Sequence, residues 1–450
     1  MTNSNLVAVV GLGKTGMSCV RYLVAKGFDV AVTDSRTIPP CIQELRSQFP
    51  KVPVLVDGIN ETLLSEAGML VVSPGISIQE PAILKQTQRG IPIIGDIELF
   101  AKAAKAPQVV ITGSNGKSTV TTLVGEMATT AGMTVRVGGN LGTPALELIQ
   151  SEEPDLYVLE LSSFQLETTY SLQAAVAVNL NVSPDHLDRY NTYQDYIVAK
   201  QRIYKGCTVA IINRDDPASY ANAVLPQKTI SFGVSDPKAG EYGLRQHQDQ
   251  YYLACGAENL LAVDEILMKG RHQQLNALAA LALGTSVNIP MSAMLQTLKQ
   301  FKGLAHRCQW VATINEVEWY NDSKATNVGA AIAALEGLGS QSRGKLILIA
   351  GGLGKHADFS SLKPIITQYV RHAILIGKDG VQLAKAIQPE VPVTFANDMF
   401  AAARLAKQQA LPGDVVLLAP ACASFDMFRN FEHRGEVFMN AVKSLQHVAV

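Results

Sequence analysis

The run Val109-Val110-Ile111-Thr112-Gly113-Ser114-Asn115-Gly116-Lys117-Ser118-Thr119 joins a β-branched stretch to a glycine-bearing turn that ends in Lys and Ser. Such a turn suits phosphate, because backbone N–H groups and the positive end of a following helix point at phosphate oxygens. Lys117 would reach the β- and γ-phosphates of ATP, and the Ser118 hydroxyl would sit on Mg²⁺. Gly113, Ser114, Asn115, Gly116, Lys117, Ser118 and Thr119 are thus candidate ATP-binding residues. The turn departs from the strict P-loop pattern. Ile111 occupies the first glycine position, and Gly113 stands three residues before Gly116. A helix is predicted over Thr121 to Ala131.

A second glycine turn lies near the N-terminus. Leu6 to Val10 reads as a strand, followed by Gly11-Leu12-Gly13-Lys14-Thr15-Gly16, a helical pattern from Met17 to Ala25, and a second strand from Asp29 to Thr33 that ends at Asp34-Ser35-Arg36. Taken alone this is a dinucleotide-binding fingerprint with an acidic residue 18 positions after Gly16, and it points to a nicotinamide dehydrogenase. The same turn also fits any diphosphate. A unit of about 95 residues is small for a full dinucleotide fold, which needs two mononucleotide-binding halves.

Further polar residues sit where predicted strands end. Leu156 to Leu159 delivers Glu160, a candidate Mg²⁺ ligand, since α/β sheets bind ligands at the carboxyl ends of their strands. Ala175 to Leu180 delivers Asn181 to Asp188, with His186 beside Asp185 and Asp188. Lys200 follows on a helix predicted over Tyr193 to Ile203, where spacing alone also allows a solvated face. Asn276, at the start of an Ala/Leu-rich helix over Leu275 to Leu283, reads by itself as helix surface. Residues 229 to 268 alternate in short runs and predict an antiparallel flap.

These positions require three α/β units in series. The 450 residues fit about three domains. The expected divisions are a Rossmann-like domain over 1–95, a central P-loop mononucleotide-binding domain over 96–303, and a Rossmann-like C-terminal domain over 304–450. Hydrophobic residues make up 47%, enough for packed cores, yet no run approaches the ~18 apolar residues of a membrane span. A net charge of −1 argues against a nucleic-acid surface. Six scattered cysteines without Cys-x-x-Cys spacing, and an N-terminus without a secretory signal, point to reduced thiols in a cytoplasmic protein.

The ordered set of motifs resembles the Mur ligase family from one end of the chain to the other. The set comprises Thr112 to Thr119, Glu160-Leu-Ser-Ser-Phe-Gln, Asp185-His186-x-Asp188, His306-Arg307, Asn321-Asp-Ser-Lys-Ala-Thr-Asn327, and Ser424-Phe-Asp-x-Phe-x-Asn-Phe431-Glu-x-Arg434-Gly435. The first domain and the Ser424 block resemble the branch that adds D-glutamate to UDP-N-acetylmuramoyl-L-alanine in peptidoglycan precursor synthesis. The resemblance implies an ATP-dependent, amide-forming ligase that works as a monomer through an acyl phosphate, with ATP as co-substrate and two Mg²⁺ ions. It assigns the first glycine turn to a UDP-sugar rather than to nicotinamide, with Gly13, Thr15, Asp34, Ser35, Arg36, Ser73, Gly75 and Asn140 as UDP-sugar-binding residues. Asn276, Arg307 and Asp322 would join the ATP site. Thr326, Lys355, Ser424 and Phe431 would hold D-glutamate. Lys117, Glu160, His186 and Lys200 would be catalytic, with Ser118, Glu160, His186 and Lys200 as metal ligands and Lys200 as a carbamate. Leu353 stands where some relatives carry an acidic residue.

Overall fold

The computed structural model describes residues 3–186, 189–268, 270–340, 342–355 and 357–446. Asp188, named with His186 above, lies outside the described residues. Three sheets follow one another along the chain. The first is parallel throughout, with strands β1 (Asn3–Val10), β2 (Asp29–Thr33), β3 (Val54–Leu55), β4 (Ala67–Val72) and β5 (Ile93–Ile94) in the order β3-β2-β1-β4-β5. Five strands give one mononucleotide-binding half with a short extension, as the length of this unit requires.

The central sheet has nine strands. Seven run parallel, in the order β12-β11-β10-β9-β6-β8-β7: β6 (Gln108–Thr112), β7 (Val135–Gly139), β8 (Leu156–Glu160), β9 (Val176–Asn179), β10 (Val209–Asn213), β11 (Lys228–Phe232) and β12 (Tyr242–His247). Then come β13 (Gln250–Cys255) and β14 (Glu258–Ala262). The predicted antiparallel flap needs a correction here. β11 pairs in parallel with β10, and antiparallel pairing begins only where β12 meets β13. β6 is buried at every position, as a strand covered on both faces must be. Val109 and Ile111 pack under the helices Lys117–Thr130, Arg271–Ser286 and Met291–Gln300. Val110 faces the other way, into a core that continues through Tyr157 and Phe100 to Val7 and Val9 of the first sheet.

That shared core is fastened at the junction between the first two units. Gly95 donates its N–H to the Thr168 carbonyl at 3.1 Å. Asp96 Oδ2 accepts from Gln165 Nε2 at 2.9 Å, and Glu98 takes the N–H groups of Tyr170 and Ser171 at 2.7 and 2.9 Å. Burial lifts the Asp96 carboxyl to about 6.

The third sheet contains β15 (Gln309–Ile314), β16 (Val317–Asn321), β17 (Leu346–Gly351), β18 (Val370–Ile376), β19 (Val393–Phe395) and β20 (Val415–Leu418), in the order β15-β16-β20-β17-β18-β19. Only β15, paired with β16 in a hairpin, is antiparallel. The helix Val328–Gly339 lies against the central unit. A Cβ on its Gly337 would stand 3.0 Å from His272 Nδ1 and 3.2 Å from the Gly270 Cα, so a larger residue there would have to push these neighbours aside. No helix among the described residues is long and apolar enough to cross a membrane.

Candidate active site

The nucleotide turn leaves β6 and enters the helix Lys117–Thr130 at Gly116, the cap residue, with φ +83°. The helix thus starts at Lys117, four residues before the sequence pattern placed it. Gly116 needs glycine twice over: its φ is left-handed, and a Cβ would come within 2.4 Å of Asn276 Oδ1. Asn276 is buried, with its amide donating to Gln273 Oε1 at 3.1 Å, so it backs the loop rather than facing solvent. Asn181, at the end of β9, clamps the turn from below. Its Oδ1 accepts the Asn115 N–H at 2.8 Å and its Nδ2 donates to the Asn115 carbonyl at 3.0 Å.

Lys117 Nζ folds back to donate to the carbonyls of Gly113 and Ser114, at 2.8 and 3.0 Å. Burial lowers its pKa, with Arg307 adding to the effect. Arg307 Nη2 donates to Ser118 Oγ at 2.7 Å and so links the third unit to the nucleotide turn. Beside them a cavity of about 300 Å³ is lined by Gly116, Thr119, Asn276, Arg307 and Asp322. Burial raises Asp322 to about 6. Of the expected ATP residues, Asn115, Gly116, Thr119, Asn276, Arg307 and Asp322 share this enclosure, whereas Ser114, Lys117 and Ser118 face the adjoining one.

An adjoining cavity of about 610 Å³ holds most of the remaining candidates. Glu160 enters from the end of β8. Its Oε1 accepts from Asn140 Nδ2 at 2.6 Å, whereas Oε2 is buried with no hydrogen-bond partner. An orphaned carboxylate oxygen in the same cavity as the P-loop Ser118 fits a divalent cation, whose other positions phosphate oxygens and water would fill. Among the described residues no three His, Cys, Asp or Glu side chains gather as a preformed metal cage.

His186 has φ +56°, and its imidazole meets the edge of the Phe164 ring at 5.0 Å. The His186 backbone N–H donates to Asp185 Oδ1 at 2.9 Å, while the ring Nε2 stands 3.7 Å from Asp185 Oδ2. Burial lowers the His186 pKa, and Lys355, Lys200 and Lys117 push the same way. Lys200 is 2% exposed, which removes the solvated-face reading. Its Nζ donates to the Gly113 carbonyl at 2.8 Å and lies 4.8 Å from the Tyr196 ring centre. Burial, reinforced by Lys117, pushes this amine well below the ordinary lysine range.

The third unit closes the cavity with Thr326, Lys355, Ser424 and Phe431. Leu353 holds the strand-end loop in place through a reciprocal backbone pair with Ala423, both at 2.9 Å. The sequence reading gave Lys324, Asn327 and Arg434 no role. Lys324 Nζ lies 3.9 Å from the Phe431 ring centre, and burial lowers its pKa to about 8. Asn327 caps its helix by accepting the Ala330 N–H at 2.8 Å and donates from Nδ2 to Asp185 at 3.2 Å. Arg434, fully buried, donates to the Ser323 and Cys422 carbonyls at 2.8 and 3.0 Å and so ties two cavity loops together. All three fall inside quoted motifs, and that was the one signal available for them.

The first unit's candidates gather separately, around Gly11 to Gly16, apart from Asn140 in the large cavity. Asp34 is 0% exposed and already saturated: Oδ2 accepts from the Leu12 N–H and Arg36 Nη2, both at 2.6 Å, and Oδ1 from the Arg36 N–H and Nε, both at 2.9 Å. In this state Asp34 shapes the loop and presents Arg36. Ser73 Oγ donates to the Gly11 carbonyl at 2.9 Å. Ser35 and Gly75 are exposed, and Gly13 and Thr15 are half-buried.

Comparison with known proteins decides the family. The profile described as Mur ligase MurD-like, N-terminal domain, matches residues 5–95, that of the Mur ligase middle domain matches 111–284, and that of the Mur ligase glutamate ligase domain matches 306–422. The chain belongs to the Mur ligase family. Curated members of this family resemble it over nearly their whole length. The UDP-N-acetylmuramoylalanine–D-glutamate ligase of Coxiella burnetii (strain Dugway 5J108-111) is 49% identical, over 99% of this chain and 100% of its own. The ligase of the same name from Nitrosococcus oceani is 51% identical over 97% of this chain and 96% of its own. Among solved Mur-type structures, a pseudomurein peptide ligase type C from Methanothermus fervidus covers 98% of this chain and 100% of its own, with a TM-score of 0.63 at 17% identity. UDP-N-acetylmuramate-alanine ligase from Thermotoga maritima covers 98% and 99%, with a TM-score of 0.59 at 18% identity. At that identity the likeness concerns the three-unit Mur fold alone.

Proposed function

We propose that this Mur ligase joins D-glutamate to UDP-N-acetylmuramoyl-L-alanine at the expense of ATP, in the cytoplasm, as a step of peptidoglycan precursor synthesis. The observation that carries this reading is the large cavity. In it the P-loop lysine and the half-free Glu160 of the central unit face Lys355, Ser424 and Phe431 of the third. The divisions near residues 95 and 303 follow from the same reading: one unit each for sugar nucleotide, ATP and amino acid.

Amide formation from a carboxylate needs a better leaving group than oxide. The substrate carboxylate attacks the γ-phosphorus, ADP leaves, and an acyl phosphate results. The amine of D-glutamate then adds to the acyl carbon, loses a proton, and expels phosphate. Both opening reactants are anionic, so preorganised cations must offset their repulsion. Lys117, released from its own loop carbonyls, binds the β- and γ-phosphates, and Arg307 holds the nucleotide from the third unit. Asn276 and Asp322 orient it. Glu160, Ser118, His186 and a carbamate on Lys200 would hold two Mg²⁺ ions, which supply charge neutralisation when bound. The Lys200 amine suits carbamate formation because its neutral form adds CO₂ and releases a proton, leaving an anion. Asn140 orients the muramoyl group. Lys355, Thr326, Ser424 and the Phe431 backbone receive the D-glutamate carboxylates. Gly13, Thr15, Ser35, Arg36, Ser73 and Gly75 take the UDP portion, with Asp34 holding Arg36 toward it.

Phosphate release tests the proposal. It should require ATP, UDP-N-acetylmuramoyl-L-alanine and D-glutamate together, and fall to background with L-glutamate. Release independent of the amino acid, or equal turnover with glycine, would overturn it.

A further inference from the structure

Arg189 contacts no expected substrate position, yet it joins the first unit to the reaction centre. It follows the His186 segment and is largely buried, with its side chain 16% exposed. Its guanidinium reaches across to the turn after β4, where Nη2 donates to the Ile76 carbonyl at 2.8 Å and Nη1 to the Pro74 carbonyl at 3.4 Å. A carboxylate oxygen of Glu167 stands farther away, at 3.9 Å. The carbonyls rather than an ion pair therefore fix the fork, and a planar guanidinium holds its two acceptors and its face in one rigid geometry, which the rotatable donors of an ammonium do not impose.

Both sides of this fork lead into function. On one side, the Pro74–Ile76 turn is built onto the glycine loop of the first sheet. Ser73 Oγ donates to the Gly11 carbonyl, and a Cβ on Gly11 would meet Ser73 Cβ at 3.0 Å and Ile76 Cγ1 at 3.1 Å. On the other side, the guanidinium face lies 4.5 Å from the Phe164 ring centre. Phe164 then meets His186 edge-on at 5.0 Å and Tyr190 in a stack at 5.7 Å. An unbroken series of contacts thus runs from Gly11 through Ile76, Arg189 and Phe164 to the His186 imidazole.

We propose that Arg189 is a positioning residue that couples occupancy of the Gly11–Gly16 loop to the placement of Phe164 and His186. A ligand that orders the Ser73–Ile76 turn fixes the two carbonyls. They fix the guanidinium, and its face sets the Phe164 ring against the imidazole. The inference rests on the sugar-nucleotide reading of that loop given above.

The test uses the full chain and the variants Arg189→Lys and Arg189→Ala, with melting temperature checked first. Affinity for UDP-N-acetylmuramoyl-L-alanine is measured by calorimetry with and without Mg²⁺ and a non-hydrolysable ATP analogue. The ratio of the two constants reads the coupling, which for linked sites is typically about 5- to 150-fold. In the wild type the ratio should exceed about 5, and in Arg189→Lys it should fall towards 1. Over the same change kcat should drop about tenfold or more, while the KM for ATP stays within about twofold. Arg189→Ala should match or exceed these losses; if it does not fold, Arg189→Lys alone decides. A Lys variant with wild-type ratio and kcat would overturn the proposal. So would a wild-type ratio of 1, or a kcat loss with the ratio unchanged, which would mark a merely structural role. Failure of the wild type to bind the sugar nucleotide at all would instead refute the function proposed above.

Discussion

The chain contains two glycine turns between a parallel strand and a helix, and they are built for different work. Gly11 to Gly16 offers mainly backbone, with Lys14 exposed and Thr15 half-buried at the start of its helix. Its helix starts after Gly13 at an ordinary extended φ of −91°, and its one acid, Asp34, is saturated by its own loop and by Arg36. Gly113 to Lys117 instead carries a lysine on a left-handed cap, and a buried carboxylate oxygen without a partner stands in the adjoining cavity. Both can hold phosphate through N–H groups. Only the second sets a buried lysine near a carboxylate oxygen that has no partner, so the turn's geometry sets where phosphate sits and its neighbours set whether anything happens to it.

The largest expected effect isolates that difference. Lys117→Ala should lower kcat by about 10³ or more, as removal of a transition-state charge contact does. Affinity for the sugar nucleotide, held by the other turn, should stay within twofold. A variant with near-normal turnover would place phosphoryl transfer elsewhere.

Lys200→Ala should cost about 10² in rate. Acetate at millimolar levels should restore part of it by occupying the vacated anionic position, and rigorous removal of bicarbonate should weaken the wild type. If acetate gives no rescue, Lys200 acts as an amine.

Within the first turn, Gly16→Ala and Gly13→Ala should separate stability from binding. A Cβ at Gly16 would stand 1.9 Å from the Gly11 carbonyl oxygen, whereas one at Gly13 would meet nothing within 4 Å. Chemical denaturation should show a loss of about 3 kcal/mol for the former and under about 1 kcal/mol for the latter. Gly13→Ala should nevertheless bind the sugar nucleotide more weakly, because its methyl obstructs the backbone's approach to phosphate. Equal stability of the two variants would contradict the packing of Gly16 on Gly11.

The smallest effect belongs to His272, which lines the nucleotide cavity. Burial depresses its pKa from 6.5 to about 4. It is neutral when folded and takes a proton more readily when unfolded, so its contribution is complete above about pH 6.5 and is lost as pH falls toward 4. That loss amounts to about 0.7 kcal/mol between pH 7 and pH 6. Asp96 and Asp322, both raised to about 6, act with the opposite sign. The measurement is therefore the difference between wild type and His272→Gln, whose stability should fall less over that interval. Parallel pH profiles would show that His272 does not titrate as described.

Strand–turn–helix units were legible wherever buried parallel strands ended in polar residues, as at Thr112, Glu160 and Asn181. Other features were not. β11 reads as part of an alternating flap because its residues are largely exposed or half-buried, yet backbone pairing with β10 decides its direction. The β15–β16 hairpin turns through Asn315 and Glu316, both left-handed at φ +50° and +60°, and a Glu there gives none of the usual Asn-Gly signal. Burial of Lys200 and Arg434 contradicts the default that such side chains face water, and their partners are mainly backbone carbonyls from distant loops. No local pattern encodes a carbonyl's direction. The composition of the large cavity became visible only through the ordered motifs.

The clasp formed by Asp96 and Glu98 has a consequence for ligand design. With Gly95 pressed onto Thr168 and one hydrophobic core shared across the junction, the first two units form a stiff joint. The third is reached through residues 301–304, which form no regular element. A single molecule that spans the glycine loop of the first unit and the large cavity therefore bridges two fixed anchor points, and it gains the full effective-concentration advantage of a linked ligand. The third unit keeps its own separate cores and meets the central one through individual contacts such as Arg307 to Ser118. A molecule tethered from the glycine loop of the first unit to the Ser424 loop therefore rests on a less continuous support, and its linker gives back part of that advantage as entropy.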